Sequence, residues 1–280
     1  MSEEGLGGRI RSTDGFPVGH AVLTVTDPAG KQVARVPADA AGVVAGQPGT
    51  SLPPGAYTAV VTAPGYLPVA RTALIRADGG GSLGDVVLEP AAGALPLPPA
   101  GPWVIDPAHS SVVTTARHLG ISSIKARFTG VSGRIEVARP PERSSVLATI
   151  EAATIDTGVA MRDDHLRSSD FLDVAAYPWI EFASTGLRRE GTDTWTLSGE
   201  LTLHGQRRHV ELDLRYGGVG PDPWGGVRAA FSAETLLHRQ DFAINYNAMV
   251  RAGVAAVGTT VRVELDIQAV RGEHLPEPPG

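Results

Sequence analysis

The sequence predicts an all-β protein in two parts, a small two-sheet β-sandwich followed by an eight-stranded antiparallel barrel with one short helical insertion. The 280 residues include 34 glycines and 22 prolines. These residues divide the chain into short runs rich in Val, Thr and Leu, which are typical of strands separated by turns. Within many runs, apolar and polar residues alternate, as in a half-buried strand. An uncharged, proline-rich stretch separates the runs into two groups.

The composition disfavours several classes of function. A net charge of −6 argues against nucleic acid as a partner, because such proteins need a basic surface. No apolar run approaches the roughly 18 residues of a membrane helix, so we expect no stable membrane insertion. The chain has no cysteine, which leaves neither disulfides nor thiolate metal ligands. The opening MSEEGLGGRI is acidic where a secretory signal carries Lys or Arg, and this predicts a cytoplasmic location.

Residues 5–90 predict the sandwich. Turn sequences such as Asp14-Gly15 separate short runs with strand character, and about seven strands fit a two-sheet sandwich of this length. The clearest runs are Gly8–Arg11, Ala21–Thr26, Gln32–Pro37, Tyr57–Ala63 and Val86–Glu89. The stretches GRIRSTDGFPVGHAVLTVTDPAG and SLPPGAYTAVVTAPGYLP resemble a carboxypeptidase-regulatory-like (transthyretin-like) module. That resemblance implies a spacer or a stabilising appendage without catalytic residues.

The domain boundary falls at residues 91–101, AAGALPLPPAG. This stretch has no charge and no periodicity, and its prolines exclude a helix or a central strand. Proline-rich segments favour an extended, semi-rigid geometry. We therefore predict a linker here, a barrel domain over residues 102–271 and a disordered tail over residues 272–280.

Eight longer runs after the linker predict the barrel strands. They are Ser111–His118, Ala126–Val137, Ser145–Asp156, Trp179–Leu187, Thr194–His204, His209–Tyr216, Gly226–Leu237 and Thr259–Val270. Closure would remove the edges that long strands otherwise expose, and eight strands enclose room for side chains or one small ligand. In the last run, Val261, Val263 and Leu265 alternate with charged residues, which gives that strand an apolar inner face and a polar outer face.

The stretch Met161–Phe182, MRDDHLRSSDFLDVAAYPWIEF, combines charges, a histidine and aromatics. It predicts a helix of two or three turns near Met161–Val174, with Asp163 or Ser168 as a capping residue. Such a stretch can bind an anionic head group, hold a metal, or close one end of an all-β fold.

A metal site is the enzymatic alternative for this stretch. Asp163, Asp164 and His165 would be ligands of a metal-dependent hydrolase, with His204 or His209 joining from another strand. The spacing matches no known metal motif, and no nucleophile elbow or phosphate-binding loop is present. The sequence therefore favours a binding protein over an enzyme.

Five motifs follow one another along the second part of the chain. They are WVIDPAHSSV, RHLGISSIKARFTGVSG, RDDHLRSSDFLDVAAYPWIEF, LSGELTLHGQRRHVELDL and HRQDFAIN. Together they resemble the YceI-like family of polyisoprenoid-binding, lipocalin-like barrels over nearly all of residues 102–270. The resemblance implies a deep apolar tunnel that binds a long-chain isoprenoid lipid, polyprenyl or polyprenyl phosphate, without catalysis; homodimers are common in the family. A quinone or an acyl-amide lipid is the alternative ligand. We expect no cofactor; the bound isoprenoid lipid or quinone is a ligand.

The resemblance and the alternation together give a set of candidate ligand-binding residues. Tunnel walls need apolar side chains, and Arg or His side chains at the tunnel mouth can donate to phosphate or quinone oxygens. The candidates are Val112, Thr114, Ala116, His118, Phe128, Arg162, His165, Arg167, Phe171, Leu172 and Phe182. Structural roles are the alternatives: Arg162 can pair with Asp163 or Asp164, His165 can bond a backbone carbonyl, and the aromatic residues can be core.

Three positions depart from the pattern of the family. Thr114 and Leu172 stand where many members carry aromatic residues, and Ala243 stands where a glycine is usual. Smaller inward-facing residues would widen the tunnel, so a ligand different from the usual one of the family is expected to fit.

Overall fold

The structure is a computed structural model that describes residues 5–45, 52–222, 226–246, 249–250, 254–255 and 257–276. The chain divides into two compact units. The first comprises Met1–Ala94 with Arg189–Asp193, and the second comprises Leu95–Arg188 with Thr194–Gly280. The division falls inside the predicted linker, residues 91–101. Of the predicted tail, the last four residues lie outside the described part.

The first unit is a β-sandwich of two sheets. Its strands are β1 (Gly5–Ser12), β2 (Val22–Thr26), β3 (Gln32–Pro37), β4 (Val43–Val44), β5 (Gly55–Thr62), β6 (Val69–Ile75) and β7 (Gly80–Leu88). One sheet has the order β4-β1-β7 and the other β3-β2-β5-β6. Buried side chains from both sheets, among them Ile10, Leu23 and Leu88, form one core. The structure adds β4 and β6 to the five strands that the sequence predicted, while the transthyretin-like resemblance stays a prediction.

The second unit contains the barrel. Its strands are β8 (Gly101–Ile105), β9 (Ser111–His118), β10 (Ser122–Phe128), β11 (Val131–Val137), β12 (Ser145–Glu151), β13 (Ile155–Asp156), β14 (Trp179–Arg189), β15 (Thr194–Leu203), β16 (Gln206–Pro221), β17 (Val227–His238), β18 (Met249–Val250), β19 (Val254–Ala255) and β20 (Val257–Arg271). Eight of them, in the order β20-β17-β16-β15-β14-β12-β11-β8, close into an antiparallel barrel because β8 also pairs with β20. This confirms the predicted fold class.

The strands that close the barrel differ in part from the predicted ones. The closing strand β8 lies at the edge of the predicted linker, and β9, β10 and β13 extend the sheet from the other half of β20. The predicted strand Ala126–Val137 is two strands, β10 and β11, that meet at Gly130. A side chain at Gly130 would clash with Thr154 and Glu151, so this glycine allows the chain to pass close to the 3₁₀ turn Ala152–Thr154. The same turn interrupts the predicted strand Ser145–Asp156.

The helical insertion has about two turns, as predicted, and ends before the second half of the predicted segment Met161–Val174. Helix α1 spans Ala160–Arg167. Asp163 is not its N-cap, because Val159 holds that position without a side-chain capping bond, whereas Ser168 is its C-cap. Asp163 lies within the first turn instead. Its Oδ1 accepts hydrogen bonds from the backbone N and the hydroxyl of Thr157, at 2.9 and 2.5 Å. Among the described residues, no helix is long and apolar enough to cross a membrane.

An ionic network joins the segment after β8 to the turn between β16 and β17. The Arg228 guanidinium contacts the carboxylates of Asp106 at 2.5 Å and Asp222 at 2.9 Å, and His109 Nδ1 lies 2.7 Å from the Asp106 carboxylate. Burial is the largest single influence on Asp106 and opposes its ionisation. The hydrogen bonds from Arg228, His109 and the Ala108 backbone together outweigh it and lower the pKa of Asp106 below 3.8.

This shift predicts how acid affects the barrel. Because the pKa of Asp106 is lower in the folded state, its contribution to stability is present above pH 3.8 and is lost as the pH falls through the folded-state pKa. We expect Asp106→Asn to lower the urea midpoint of unfolding at neutral pH, and the gap between variant and parent to shrink below about pH 4. All four tryptophans lie within residues 103–224, so tryptophan fluorescence monitors this unit.

The control is Asp213→Asn, which changes an exposed carboxylate on β16. A gap between Asp106→Asn and the parent that stays constant down to pH 3 would contradict the assigned linkage.

Ala243 adopts a backbone conformation that suits glycine. It follows the 3₁₀ turn Arg239–Phe242 at φ 58° and ψ 16°, the left-handed region, and its N–H donates to Gln240 O at 3.0 Å. A side chain in this region clashes with its own backbone, which costs about 1 kcal/mol. This explains physically why glycine is usual at this position.

We therefore expect Ala243→Gly to raise the free energy of unfolding by about 1 kcal/mol, measured by urea denaturation with tryptophan fluorescence. Ala176→Gly is the matched control, because Ala176 is also exposed but is not among the residues with positive φ. That control is expected to lose stability through the greater freedom of the unfolded chain. Loss of stability in both variants would refute the strain at Ala243.

Candidate functional site

A cavity of about 590 Å³ lies inside the barrel. This volume is within the range of ordinary small-molecule sites. Its walls are almost entirely apolar, and side chains from the barrel strands and from α1 contribute to them. Representative wall residues are Ile135, Ile150, Leu197, Leu212, Phe231 and Val263. The eight-stranded barrel therefore encloses empty apolar space in addition to its packed core.

The alternation of strand residues sets the walls of the cavity. On β9, the predicted inward face, Val112, Thr114, Ala116 and His118, lines the cavity. The neighbouring strand β20, which pairs with β9, lines it with Val261, Val263, Leu265 and Ile267. Its charged residues point outwards, where Arg262 pairs with Glu234 of β17 at 3.1 Å. Here the period of two read from the sequence assigned the faces correctly.

Aromatic and aliphatic residues narrow the cavity, as the sequence predicted. Phe128, Phe182 and Leu172 line it. Phe182 fits because Gly199, on the inward face of β15, has no side chain; a Cβ there would clash with the Phe182 ring and with Ala183 O. Glycine at an inward-facing position thus makes room for a phenylalanine from the neighbouring strand.

One end of the cavity is covered by an apolar cluster. Phe171, which follows α1, packs with Phe242 and Ile244, and all three are buried. Arg239 holds the segment that carries Phe242 and Ile244. Its Nη1 donates to Ile244 O and Tyr246 O, each at 2.8 Å. Burial lowers the pKa of Arg239. The carbonyl partners satisfy this buried guanidinium and fix the chain across the barrel end.

Polar side chains gather at this covered end. Arg162 of α1 lines the cavity, and its guanidinium donates to the hydroxyl and the carbonyl of Thr157 at 2.8 and 3.1 Å. His165 also lines the cavity. Its Nε2 lies 2.8 Å from the Asp170 carboxylate, and its ring meets the rings of Phe171 and Tyr246 edge-on. With His118 from β9, these groups give the cavity one polar end.

Arg167 lies elsewhere and holds α1 in place. Its Nε donates to Ala153 O at 2.7 Å and its Nη2 to Ile155 O at 2.8 Å, while Nη1 contacts Asp164. It is not among the residues that line the cavity. The other ten candidate residues do line it: Val112, Thr114, Ala116, His118, Phe128, Arg162, His165, Phe171, Leu172 and Phe182.

The donors of the metal alternative have separate partners. Asp163 bonds Thr157, Asp164 contacts Arg167 and His165 faces Asp170. The hydroxyl bond from Thr157 is the main cause of the lowered pKa of Asp163. Within the described ranges, no three His, Asp or Glu side chains are grouped to hold a metal ion.

His204 and His209 are engaged away from α1. Nδ1 of His204 lies 3.0 Å from Phe242 O and its ring packs against Tyr177, while His209 faces Glu200 at 3.5 Å. Neither histidine lines the cavity.

The sequence did not identify the residues at the opposite end of the cavity. There the lining includes Leu97 and Pro98 from the predicted linker, together with Arg139 and Tyr216. The available signal was the leucine between prolines, since an exposed linker has no need of large apolar residues.

Comparisons with known proteins agree with this architecture. The family model described as YceI-like domain matches residues 103–269. A UPF0312 protein of Vibrio cholerae is 36% identical over 177 residues, 61% of this chain and 88% of that protein. A UPF0312 protein of Azotobacter vinelandii is 40% identical over 148 residues, 52% of this chain and 77% of that protein.

A solved structure shares the fold. The crystal structure of Burkholderia cenocepacia BcnA superposes with a TM-score of 0.51 at 19% identity, over 59% of this chain and 98% of that one. The family match spans more than half of the sequence and follows the barrel strands from β8 to β20. The chain therefore belongs to the YceI-like family.

Proposed function

We propose that the barrel binds a long-chain isoprenoid lipid, of the polyprenyl or polyprenyl phosphate type, for storage or transport. The observation that carries this proposal is the apolar cavity of about 590 Å³ inside the barrel. Each methylene group that such a ligand buries contributes about 0.8 kcal/mol. Hydrophobic burial along the chain thus supplies the affinity, less the cost of ordering a flexible tail.

The polar end of the cavity orients the ligand. Arg162, His118 and His165 all line that end, whereas the middle of the cavity is apolar. An Arg guanidinium matches the oxygens of a phosphate group, and a histidine can donate to a phosphate or a carbonyl. An amphiphilic lipid therefore binds with its head group near α1 and its tail along the barrel.

A quinone or an acyl-amide lipid is the second candidate. The small side chains of Thr114 and Ala116 leave width near His118, and a quinone ring or an amide needs one or two hydrogen bonds instead of a cation. Both candidates share a long apolar tail and a non-catalytic role.

We also propose that the barrel forms homodimers. The cytoplasmic location of the protein stays a prediction.

Filling the cavity tests the proposal directly. We expect Ala116→Phe to abolish most uptake of a polyprenol from phosphatidylcholine vesicles, because the ring occupies the space of the tail. Bound lipid is measured by organic extraction of the repurified full-length protein followed by mass spectrometry. The same extraction of the freshly purified parent protein identifies any lipid that it already carries.

The matched control is Val113→Phe, which places the same ring on the outer face of the same strand, opposite Arg127 and Glu264. This variant is expected to bind as the parent does. Absence of polyprenol, quinone and acyl-amide binding in the parent would refute carriage of lipid, and equal uptake by both variants would show that the lipid binds outside the cavity.

The head-group role of Arg162 is tested by comparing two ligands. We expect Arg162→Ala to weaken binding of a polyprenyl phosphate about tenfold, since a hydrogen bond to a charged group contributes roughly 1.5–3 kcal/mol. Binding of the uncharged polyprenol is expected to change little. Arg127→Ala removes an exposed cation from β10 outside the cavity and serves as the control. An equal loss for both ligands would assign Arg162 to the structure of the insertion alone.

A further inference from the structure

The segment Leu95–Ala100, which we call the end strap, is fixed to the barrel by three side chains. The Tyr216 hydroxyl donates to Pro96 O at 2.6 Å, Arg139 Nη2 to Pro98 O at 2.7 Å, and Trp103 Nε1 to Pro99 O at 3.0 Å. All of these residues belong to the second unit. A stretch that reads as a linker is thus bound at three carbonyl groups.

Two of the side chains that donate to the end strap, Trp103 and Tyr216, are suited to hold it at any physiological pH. Trp103 is fully buried and Tyr216 nearly so. Burial raises the pKa of Tyr216 to about 12, so its hydroxyl keeps its proton, and remains a donor, at any physiological pH. The prolines restrict the backbone torsions of the strap, which lowers the entropy lost when it is held.

The end strap forms a wall of the cavity. Leu97 and Pro98 line the cavity beside Arg139 and Tyr216, and Pro98 is buried. Leu95, two residues before Leu97, is 39% exposed and does not line the cavity. Only part of the strap therefore faces the interior.

This wall lies at the opposite end from the polar groups of α1. Along β20, Val257 pairs with His118 and Val261 with Ala116, whereas Ala269 pairs with Ile105 and Arg271 with Trp103. The end strap leads directly into β8, which begins at Gly101. The eight residue-to-residue steps from 261 to 269 span roughly 26 Å of strand, so the two ends are well separated.

We propose that Leu97 and Pro98 set the length of the isoprenoid chain that the barrel accepts. This inference rests on the proposed function: with the head group at α1, the tail runs towards the end strap and stops where Leu97 and Pro98 close the cavity. Chains that reach the strap bury their full length, shorter chains leave part of the cavity unfilled, and longer chains cannot extend.

The test measures which chain lengths bind. Full-length protein is incubated with phosphatidylcholine vesicles that contain a mixture of polyprenols of graded length. The protein is then recovered and extracted, and the bound polyprenols are quantified by mass spectrometry. We expect Leu97→Ala to shift the preferred chain to a longer one by at most one isoprene unit, because the truncated side chain frees part of the volume that such a unit needs. We expect Leu97→Phe to shift it to a shorter one.

Two further variants complete the design. Leu95→Ala makes the same truncation on the exposed part of the strap and is expected to leave the preference unchanged. Tyr216→Phe removes one attachment of the strap and hardly changes the wall, and we expect it to broaden the distribution towards longer chains. Tryptophan fluorescence verifies that each variant is folded, and Tyr216→Phe tests the strap even where Leu97→Phe does not fold.

The outcomes separate the two proposals. A parent protein that binds no polyprenol refutes the proposed ligand, and the chain-length role with it. A parent that binds polyprenol with a preference that neither Leu97→Ala nor Tyr216→Phe alters refutes the chain-length role and leaves the ligand in place. Equal shifts in Leu95→Ala and Leu97→Ala would also refute it, because they would reflect general loosening of the strap.

Discussion

The second unit depends on the pairing of β20 with three neighbours. This strand pairs with β17 along most of its length, with β8 near its end and with β9 near its start. Pairing with β8 closes the barrel, and pairing with β9 continues the wall beyond the point where β8 ends. Since side chains alternate along each strand, this one register fixes which residues face the cavity on β9 and β20 alike.

An apolar interior that side chains do not fill carries a thermodynamic consequence. Side chains that line a cavity lack the dispersion contacts that packed neighbouring side chains would make, so the contacts elsewhere in the barrel matter more for its stability. The ionic network of Arg228, Asp106 and Asp222 and the carbonyl contacts of Arg239 limit further losses, because each satisfies buried charge with several partners. Arg239 lines the cavity, whereas Arg228, Asp106 and Asp222 do not, so the ionic network takes up none of the cavity wall.

Polar groups occupy the two ends of the cavity with different consequences. Near α1, Arg162 and His165 line the cavity and are held by single neighbours, Thr157 and Asp170. At the other end, Arg139 and Tyr216 donate to the carbonyls of the end strap. The partners of the donors are the physical reason for placing the head group at α1. Among the described residues, Arg162 bonds only the nearby Thr157, whereas the bonds of Arg139 and Tyr216 hold the end strap, and replacing them would release it.

The sequence by itself determined the all-β class, the inward faces of several strands and part of the cavity lining, because alternation with a period of two is a local property of each strand. Ala116 and Val263, for example, were assigned to the inside from their own neighbours in the chain. It also identified Ala243 as standing where glycine is usual, although only the φ of 58° shows why. The eight long runs predicted the barrel, and the resemblance of the motifs to a known family supplied its expected ligand.

Only the tertiary structure decided the features that depend on residues far apart in the chain. From the sequence, Arg167 was a candidate for binding the head group of the ligand. Its actual partners are the carbonyl groups of Ala153 and Ile155, which become its neighbours only when α1 folds back on the preceding turn. Leu97 and Pro98 read as linker, because proline content describes the stiffness of a segment and not its partners. Tyr216, 120 residues away from Pro96, turns that segment into a wall, and no local pattern records such a contact.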